Sequence, residues 1–292
     1  MPTILITGAA GQVGAIIRPR LAGPGRVLRL LDVAPLAQPP GPGEEAVTAS
    51  VTDMAAMTAA CAGADAVIHL GGIPGEDAWA RILDVNVNGT YTVFEAARRA
   101  GVPRVVFASS NHAVGFTPRE SFPVPDGAAP APDTYYGVSK AAGEAIAALY
   151  ARRYGLEAIC VRILSCTERP RDPRMLATWL SPDDAGRLFE ACLTAPAPGF
   201  RVIYGVSANT RGGWVSLDGA HALGYESRDD AETYAAEILG TGEPDGTGPD
   251  GAGTAPRGAQ AAWPDPSDPL FRYLGGEFTF ASKDAPVPDT AD

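Results

Sequence analysis

Tyrosine and lysine four residues apart, in Tyr136-Gly137-Val138-Ser139-Lys140, form the pair in this sequence best suited to proton chemistry. On a helix they share one face, so an ammonium sits close to a phenol. A nearby positive charge favours phenolate and draws the phenol pKa down from about 10, at about 1.4 kcal/mol per unit. A tyrosine tuned in this way is a usable general base for a substrate hydroxyl. By itself a Tyr-x-x-x-Lys pair is common and usually only a helix surface. It gains weight because it follows an apolar run, Arg104 to Ala108, that ends in Ser109-Ser110. A serine hydroxyl at that strand end can hydrogen-bond the same substrate oxygen.

That pair needs a redox partner and a frame, and the first 32 residues carry signals for both. Ile4-Leu5-Ile6 is a short apolar run, followed by Thr7-Gly8-Ala9-Ala10-Gly11-Gln12-Val13-Gly14 and a helix-like segment, Ala15 to Leu21. Strand, glycine turn and helix open a dinucleotide-binding βαβ unit. Gly8 permits the tight turn, Gly11 lets backbone approach a pyrophosphate, and Gly14 lets helix pack on strand. The helix N-terminus offers unpaired N–H groups and a positive dipole end to the phosphates. Three glycines alone often mark a plain turn. Here, however, a second strand, Val27 to Asp32, ends in an acid 18 residues after Gly14, about where a ribose-binding carboxylate belongs. A carboxylate at that point repels a 2′-phosphate, so NAD is expected over NADP. The positive nicotinamide ring of the oxidised cofactor then joins Lys140 in favouring the Tyr136 phenolate.

The rest of the chain alternates strands and helices. Ala34 to Glu45 is rich in proline and glycine and is expected to be a loop. Thr52 to Ala62 has helical composition, and Ala66 to Leu70, closed by Gly71-Gly72, reads as a buried parallel strand whose end faces the cofactor. Trp79 to Ala100 is a long amphipathic stretch with Gly101 at its C-cap. A proline-containing loop, Pro118 to Pro132, leads to a helix from Tyr135 to Tyr154 and a strand from Ala158 to Ile163. Such alternation means a parallel, doubly wound sheet with ligands beyond the strand carboxyl ends. Beyond it, Asp183 to Thr194 and Asp229 to Leu239 look helical and Arg201 to Tyr204 strand-like. Residues 240–262 have too few apolar side chains to pack and read as a flexible insertion, and the last ten residues as a frayed end. The expected division is a nucleotide-binding domain over 1–180 and a small substrate-side lobe over 181–292.

Composition narrows the partners. With 46% hydrophobic and 20% charged residues the chain has material for a proper core. A net charge of −11 argues against nucleic acid or an anionic membrane surface. No apolar run approaches a membrane span, and the N-terminal apolar residues belong to the first strand, not to a signal peptide. Cys61, Cys160, Cys166 and Cys192 are scattered and are expected to be reduced thiols of a cytoplasmic protein. Three histidines without metal-ligand spacing make a metal centre unexpected.

Taken together, these segments resemble the extended short-chain dehydrogenase/reductase superfamily and, within it, the bacterial uronate dehydrogenases. The resemblance is carried by the glycine loop, His69-Leu70-Gly71-Gly72-Ile73, Phe107 to His112 and Tyr136 to Lys140. It continues through Ser165-Cys166-Thr167, Arg174-Met175-Leu176 with Thr178-Trp179, and Ser207-Ala208-Asn209, and spans nearly the whole chain outside 240–262. It implies a Rossmann-like α/β fold with a small C-terminal substrate lobe, NAD as cofactor, and oxidation of galacturonate or glucuronate at C1 to an aldarolactone. In that reading Tyr136 is the base, Lys140 its pKa modulator and nicotinamide-ribose anchor, and Ser110 the hydroxyl-orienting group. The implied cofactor site takes Gly8, Gly11, Gln12, Val13, Gly14, Asp32, Val33, Ser50, Val51, Leu70, Gly71, Gly72, Asn86 and Ile163, with Tyr136 and Lys140. Pro74, Ser110, Asn111, His112, Tyr136, Ser165 and Arg174 fall on positions that contact the sugar acid. Arg174 takes its carboxylate, which a guanidinium matches bidentately. The helices Trp79–Ala100 and Tyr135–Tyr154 are the surface on which a homo-oligomer is expected.

Several residues depart from the resembled pattern. Ser50 stands where an aspartate usually contacts adenine, Pro74 replaces a serine near the sugar, Leu164 replaces a glycine beside Ser165, Pro173 precedes Arg174, and the region around Trp214 differs. The residues themselves leave His112 open between loop packing and substrate contact. His69 reads as a strand-end histidine bonded to backbone, Asn86 as a helix hydrogen-bonder or a shaper of the site, and Arg169 and Arg171 as a solvated loop. Two rival functions are an epimerase, dehydratase or reductase acting on a nucleotide sugar, and a non-catalytic NAD-sensing protein. The first would need a larger second lobe, and the second tends to lose the tyrosine or lysine kept here.

Overall fold

Strands in this chain alternate large apolar residues on both faces, as burial between two helical layers requires. The computed structural model describes residues 1–240 and 268–280. Seven parallel strands form one sheet: β1 (Thr3–Thr7), β2 (Val27–Asp32), β3 (Glu44–Thr48), β4 (Ala66–His69), β5 (Arg104–Ser110), β6 (Glu157–Ile163) and β9 (Phe200–Gly205). Two further short strands, β7 (Ser165–Cys166) and β8 (Trp179–Leu180), pair with each other beyond the sheet. The spatial order β3-β2-β1-β4-β5-β6-β9 places the reversal between β1 and β4. A crevice opens there at the strand carboxyl ends.

Helices cover both faces. On one side α1 (Gln12–Leu21) and α7 (Pro182–Thr194) bury Ile4, Ile6, Leu28, Ile68, Val106 and Val161. On the other, α2 (Met54–Cys61), α4 (Gly89–Ala100) and α5 (Tyr135–Tyr154) bury Leu5, Leu31, Val67, Val105 and Phe107. Adjacent strand residues thus enter opposite cores, the period-two pattern of a doubly covered sheet. α5 begins with Thr134, whose hydroxyl accepts the Gly137 N–H, and ends at Gly155 with φ 73°. Gly143, on the sheet side of α5, leaves room for Phe107: a Cβ there would lie 2.4 Å from the ring. That closeness holds the catalytic-type helix tight against β5.

Two elements differ from expectation. The segment 34–45 was expected to be wholly loop, but Glu44 already belongs to edge strand β3. Its polar sequence hides it, and ion pairs Arg18–Glu44 and Arg29–Glu45 hold it to β2 and α1. The stretch 79–100 is not one regular helix: α3 (Trp79–Arg81) passes into a π-helical run over Ile82–Asn88 before α4. Asn86 sits in that run and binds Ile73 through its side chain, an arrangement typical of π-bulges beside functional sites.

Beyond residue 180 the chain serves both layers. α7 and β9 complete the layered sheet and α8 (Asp218–Ala222) packs Ala220 into the α1/α7 core, whereas α9 (Ala235–Ile238) and α10 (Pro269–Arg272) join α6 (Met175–Thr178), just before that point, in smaller apolar clusters on the substrate side. The insertion expected over 240–262 lies outside the described residues from 241 on, as does the frayed end expected over the last ten residues. Among the described residues no helix is long and apolar enough to cross a membrane.

Candidate active site

β1 and β4 end in glycine because their ends nearly touch. Gly8 has φ 71°, and a Cβ on it would lie 2.6 Å from the Gly71 nitrogen. A Cβ on Gly14 would lie 2.5 Å from the Gly8 carbonyl oxygen, so the first turn of α1 rests directly on the loop. No side chain caps α1 and no acidic residue occupies its first turn, which leaves its N-terminal N–H groups and dipole turned to the crevice. The crevice is a continuous cleft of about 1000 Å³ running from Asp32 and Val33 past Gly71, Tyr136 and Lys140 to Arg174 and Phe278. An extended dinucleotide fits such a glycine-floored cradle, with room left for a small ligand beyond Tyr136.

Every residue expected at the site lines this cleft except Asn86. The Asn86 carboxamide accepts from the Ile73 N–H at 2.7 Å and donates to the Ile73 carbonyl and the Ser139 hydroxyl, both at 3.1 Å. Its hydrogen bonds are used up in fastening the 72–74 loop to α5, so it shapes the wall and does not face a cofactor. Asp32 holds its own loop as well as facing the cleft: its carboxylate accepts the N–H of Ala10 at 2.9 Å and of Ala34 at 3.0 Å. The carboxylate retains lone pairs for a ribose hydroxyl. Ser50 closes a local turn by bonding Thr52, and Val51 packs between Gly71 and Gly89. Gln12 donates to the Cys166 carbonyl at 2.5 Å, tying α1 to the substrate side.

Around Tyr136 the groups converge from three elements. Ser110 ends β5, and its hydroxyl accepts the His112 N–H at 3.2 Å. Lys140, one turn along α5 from Tyr136, is buried and donates to the Ala108 carbonyl at 2.8 Å. Its nitrogen lies 5.3 Å from the centre of the Tyr136 ring and 5.1 Å from that of Phe107. Burial lowers the Lys140 pKa to about 8. Burial also pushes the Tyr136 phenol up to about 12; the Ser110 hydroxyl opposes this and the Asp133 carboxylate adds to it. In the protein alone burial therefore sets the phenol; the expected lowering rests on Lys140 acting together with the positive nicotinamide ring of a bound cofactor. Glu76 accepts the Tyr135 and Tyr136 N–H groups at 3.1 and 2.9 Å, closing the start of α5.

The far end of the cleft is built from chain ends distant in sequence. The Nε of Arg174 is buried and has no hydrogen-bond partner among the described residues, while its other arm donates to the Leu274 carbonyl at 2.5 Å. Burial lowers the Arg174 pKa, with Asp172, Glu277 and Asp133 acting in the opposite direction. A guanidinium stays charged through such a shift. Asn111 donates to the same Leu274 carbonyl at 3.1 Å, and Ser165 bonds Thr178 at 3.0 Å. His112 bonds Asp133 at 2.8 Å and packs edge-on against Phe278, 4.5 Å between ring centres. Phe271, Gly275, Glu277 and Phe278 line this end, and no spacing rule links them to Arg174 a hundred residues earlier. In the sequence the apolar runs Leu270 to Leu274 and Phe278 to Phe280 point to order in this segment, though not to its place beside Arg174.

His69 is a structural residue, though bonded to side chains instead of backbone: its ring sits between the hydroxyls of Thr7 at 2.8 Å and Thr90 at 3.2 Å. The four cysteines are buried and free. Among the described residues no group of three or more His, Cys, Asp or Glu side chains is disposed to hold a metal ion.

Residues 4–178 match the NAD dependent epimerase/dehydratase family, and the chain belongs to that family. It is 41% identical to a uronate dehydrogenase of Pseudomonas putida, over 95% of this chain and 96% of the relative. To a uronate dehydrogenase of Agrobacterium fabrum it is 43% identical, over 95% of this chain and 97% of the relative. A solved structure of the Agrobacterium tumefaciens uronate dehydrogenase, a tyrosine-to-alanine mutant complexed with NAD, superposes with a TM-score of 0.83 at 41% identity. That match covers 96% of this chain and 98% of the other.

Burial holds the His69 pKa down at about 3, with Lys140 adding to the effect, against 6.5 for an exposed ring. Between those two values the unfolded chain binds a proton that the native state does not. His69 therefore supports the fold fully above pH 6.5, and stability falls as the pH drops, by about 1.4 kcal/mol per unit. Thermal melts from pH 7 downward should show a steeper loss in wild type than in His69→Gln; parallel curves would contradict the assignment.

Proposed function

We propose that this protein is an NAD-dependent dehydrogenase that oxidises a hexuronic acid, galacturonate or glucuronate, at C1 to the aldarolactone. The observation that carries the reading is Arg174. A charged guanidinium whose buried Nε has no partner among the described residues, at the end of a dinucleotide-shaped cleft, is costly unless an anion meets it. A sugar carboxylate is such an anion, and the uronate dehydrogenases to which the chain is similar act, by name, on sugar acids.

The residues then divide the work. The glycine loop and the start of α1 take the pyrophosphate, and Asp32 the adenosine ribose. NAD, when bound, supplies the hydride acceptor and a positive ring beside Tyr136. Lys140 steadies the nicotinamide-side ribose and, as a fixed ammonium, favours the phenolate. Ser110 orients the anomeric hydroxyl, and Tyr136 takes its proton as hydride leaves C1. Asn111, His112 and Ser165 bind sugar hydroxyls, while Arg174 holds the carboxylate and so fixes which carbon faces the cofactor. Pro74 and Leu164 are apolar where the resembled pattern has serine and glycine, which narrows the pocket on that side.

Copies of the chain are proposed to associate through α3, α4 and α5. Trp79, Tyr91, Tyr135, Leu149 and Tyr154 on these elements, with Leu83 on the π-helical run between α3 and α4, are exposed by 40% or more. Clustered exposed apolar groups mark contact surfaces.

Two outcomes test these proposals. Mixed with NAD, the enzyme should form NADH rapidly with galacturonate or glucuronate and not with galactose or glucose. Arg174→Met should raise KM for the acid about a hundredfold, and equal rates with acids and neutral sugars would refute the carboxylate role. Light scattering should give at least twice the 30.1 kDa chain mass, and Tyr91→Glu with Leu149→Glu should lower it. A monomeric wild type would remove the association.

A further inference from the structure

Asp133 carries no motif and falls in the loop before α5, yet its carboxylate is the most enclosed acidic group at the substrate end of the cleft. Its side chain is fully buried and bonded to His112 Nδ1 at 2.8 Å. Three glycines make the space. A Cβ on Gly275 would lie 1.8 Å from Asp133 Oδ2, one on Gly115 would lie 2.0 Å from it, and one on Gly137 would lie 3.1 Å from Oδ1. These glycines come from the C-terminal segment, the turn after β5 and the first turn of α5, so three separate parts of the chain omit side chains around one carboxylate. Gly275 N–H also donates to the Gly115 carbonyl at 2.9 Å, closing the cage. The second carboxylate oxygen accepts from the Thr134 hydroxyl at 3.1 Å.

An ionised carboxylate only accepts hydrogen bonds, so the proton between the two residues sits on His112 Nδ1. The imidazole then has one defined tautomer. Its ring is clamped edge-on by Phe278 at 4.5 Å and Tyr136 at 5.8 Å between centres, and it lines the cleft. Nε2, on the opposite edge from Asp133, has no partner among the described residues. In the neutral ring it is an acceptor for a sugar hydroxyl, and in the protonated ring a donor.

We propose that Asp133 is a positioning residue for sugar oxidation, which by holding His112 Nδ1–H inside the glycine cage presents Nε2 to a hydroxyl of the bound sugar. The inference rests on the sugar-oxidation reading above, but not on which sugar is used. Asp133 touches neither sugar nor cofactor in this account: its charge also reaches Tyr136 and Arg174 from a distance, but its part in sugar binding runs through His112, in the way a buried carboxylate sets the tautomer of a catalytic histidine elsewhere.

The test is a double-mutant cycle on the full-length protein with Asp133→Asn and His112→Ala. Wild type is first assayed with NAD and each of galacturonate, glucuronate, galactose and glucose, which judges the function separately; the cycle is then run on whichever sugar is oxidised. Asp133→Asn should raise the sugar KM about tenfold or more, with NAD affinity, from quenching of protein fluorescence, within twofold of wild type. In the His112→Ala background the same change should add no further loss. An unchanged sugar KM would overturn the proposal. So would loss of NAD binding, since the carboxamide has the carboxylate's shape and only a role in the fold would then remain. An effect undiminished in the His112→Ala background would show that Asp133 acts by another route, and would overturn it equally.

Discussion

The rest of the site depends on a single buried ammonium. Lys140 is buried in the cleft wall with the Ala108 carbonyl as its hydrogen-bond acceptor, between the rings of Phe107 and Tyr136. Burying such a charge is unfavourable, which is why its pKa falls to about 8. Burying a phenolate is unfavourable for the same reason, and the Tyr136 phenol stands at about 12. Neither charge is comfortable alone. Side by side in a low dielectric they stabilise each other, and a cationic ring brought in by the cofactor adds to the same balance. In the proposed reaction the buried phenol becomes a base only when cofactor and sugar are present.

Much of the fold can be understood as what keeps that ammonium in place. Strand β5 ends at Ser110, so that Ala108 offers its carbonyl and Ser110 its hydroxyl at the same level. Helix α5 approaches closely because Gly143 gives way to Phe107. Deeper in the same interface, Glu144 joins Ser109 at 2.6 Å and pairs with Arg162 from β6 at 2.8 Å. This buried pair cross-links α5 to two strands directly beneath the site. Removing one partner of such a pair usually costs about 3–5 kcal/mol, so the registry of helix on sheet is firmly set. On the other side of the ammonium, His69 is oriented by the two threonine hydroxyls and held neutral by burial, with Lys140 adding to the effect, so it brings no competing charge.

The cofactor half was legible in the sequence because close approach of backbone to backbone leaves glycines at fixed spacing. Gly8 and Gly14 are forced by backbone contacts of 2.6 and 2.5 Å that no Cβ tolerates, Gly71 by the Val51 side chain at 2.7 Å, and local periodicity located the flanking strands and helices. Tyr136 and Lys140 were legible for a related reason, since a single helical turn joins them. What stayed hidden was assembled at long range. β3 is an edge strand stabilised by ion pairs, and its exposed sequence resembles a loop. Asn86 lies on a π-helical run, and its orientation toward Ile73 follows from the extra residue per turn, not from its type. Arg174 was placed by resemblance, but its wall, Leu274 to Phe278, comes from a segment after the residues left undescribed. Asp133 was missed because its meaning lies in Gly115, Gly137 and Gly275, three glycines far apart in sequence that only the fold brings together.

The most direct test of the central claim is the pH dependence of kcat/KM for the sugar, at saturating NAD, in wild type and in Lys140→Met. If the buried ammonium and the cofactor together bring the phenol within reach, wild-type activity should rise with an apparent pKa near neutrality to mildly alkaline pH. In Lys140→Met that limb should move up by one unit or more, about 1.4 kcal/mol, while Ser110 and Tyr136 remain in place. An acidic limb at the same pH in both proteins would contradict the account, because the tyrosine would then owe its basicity to something other than Lys140.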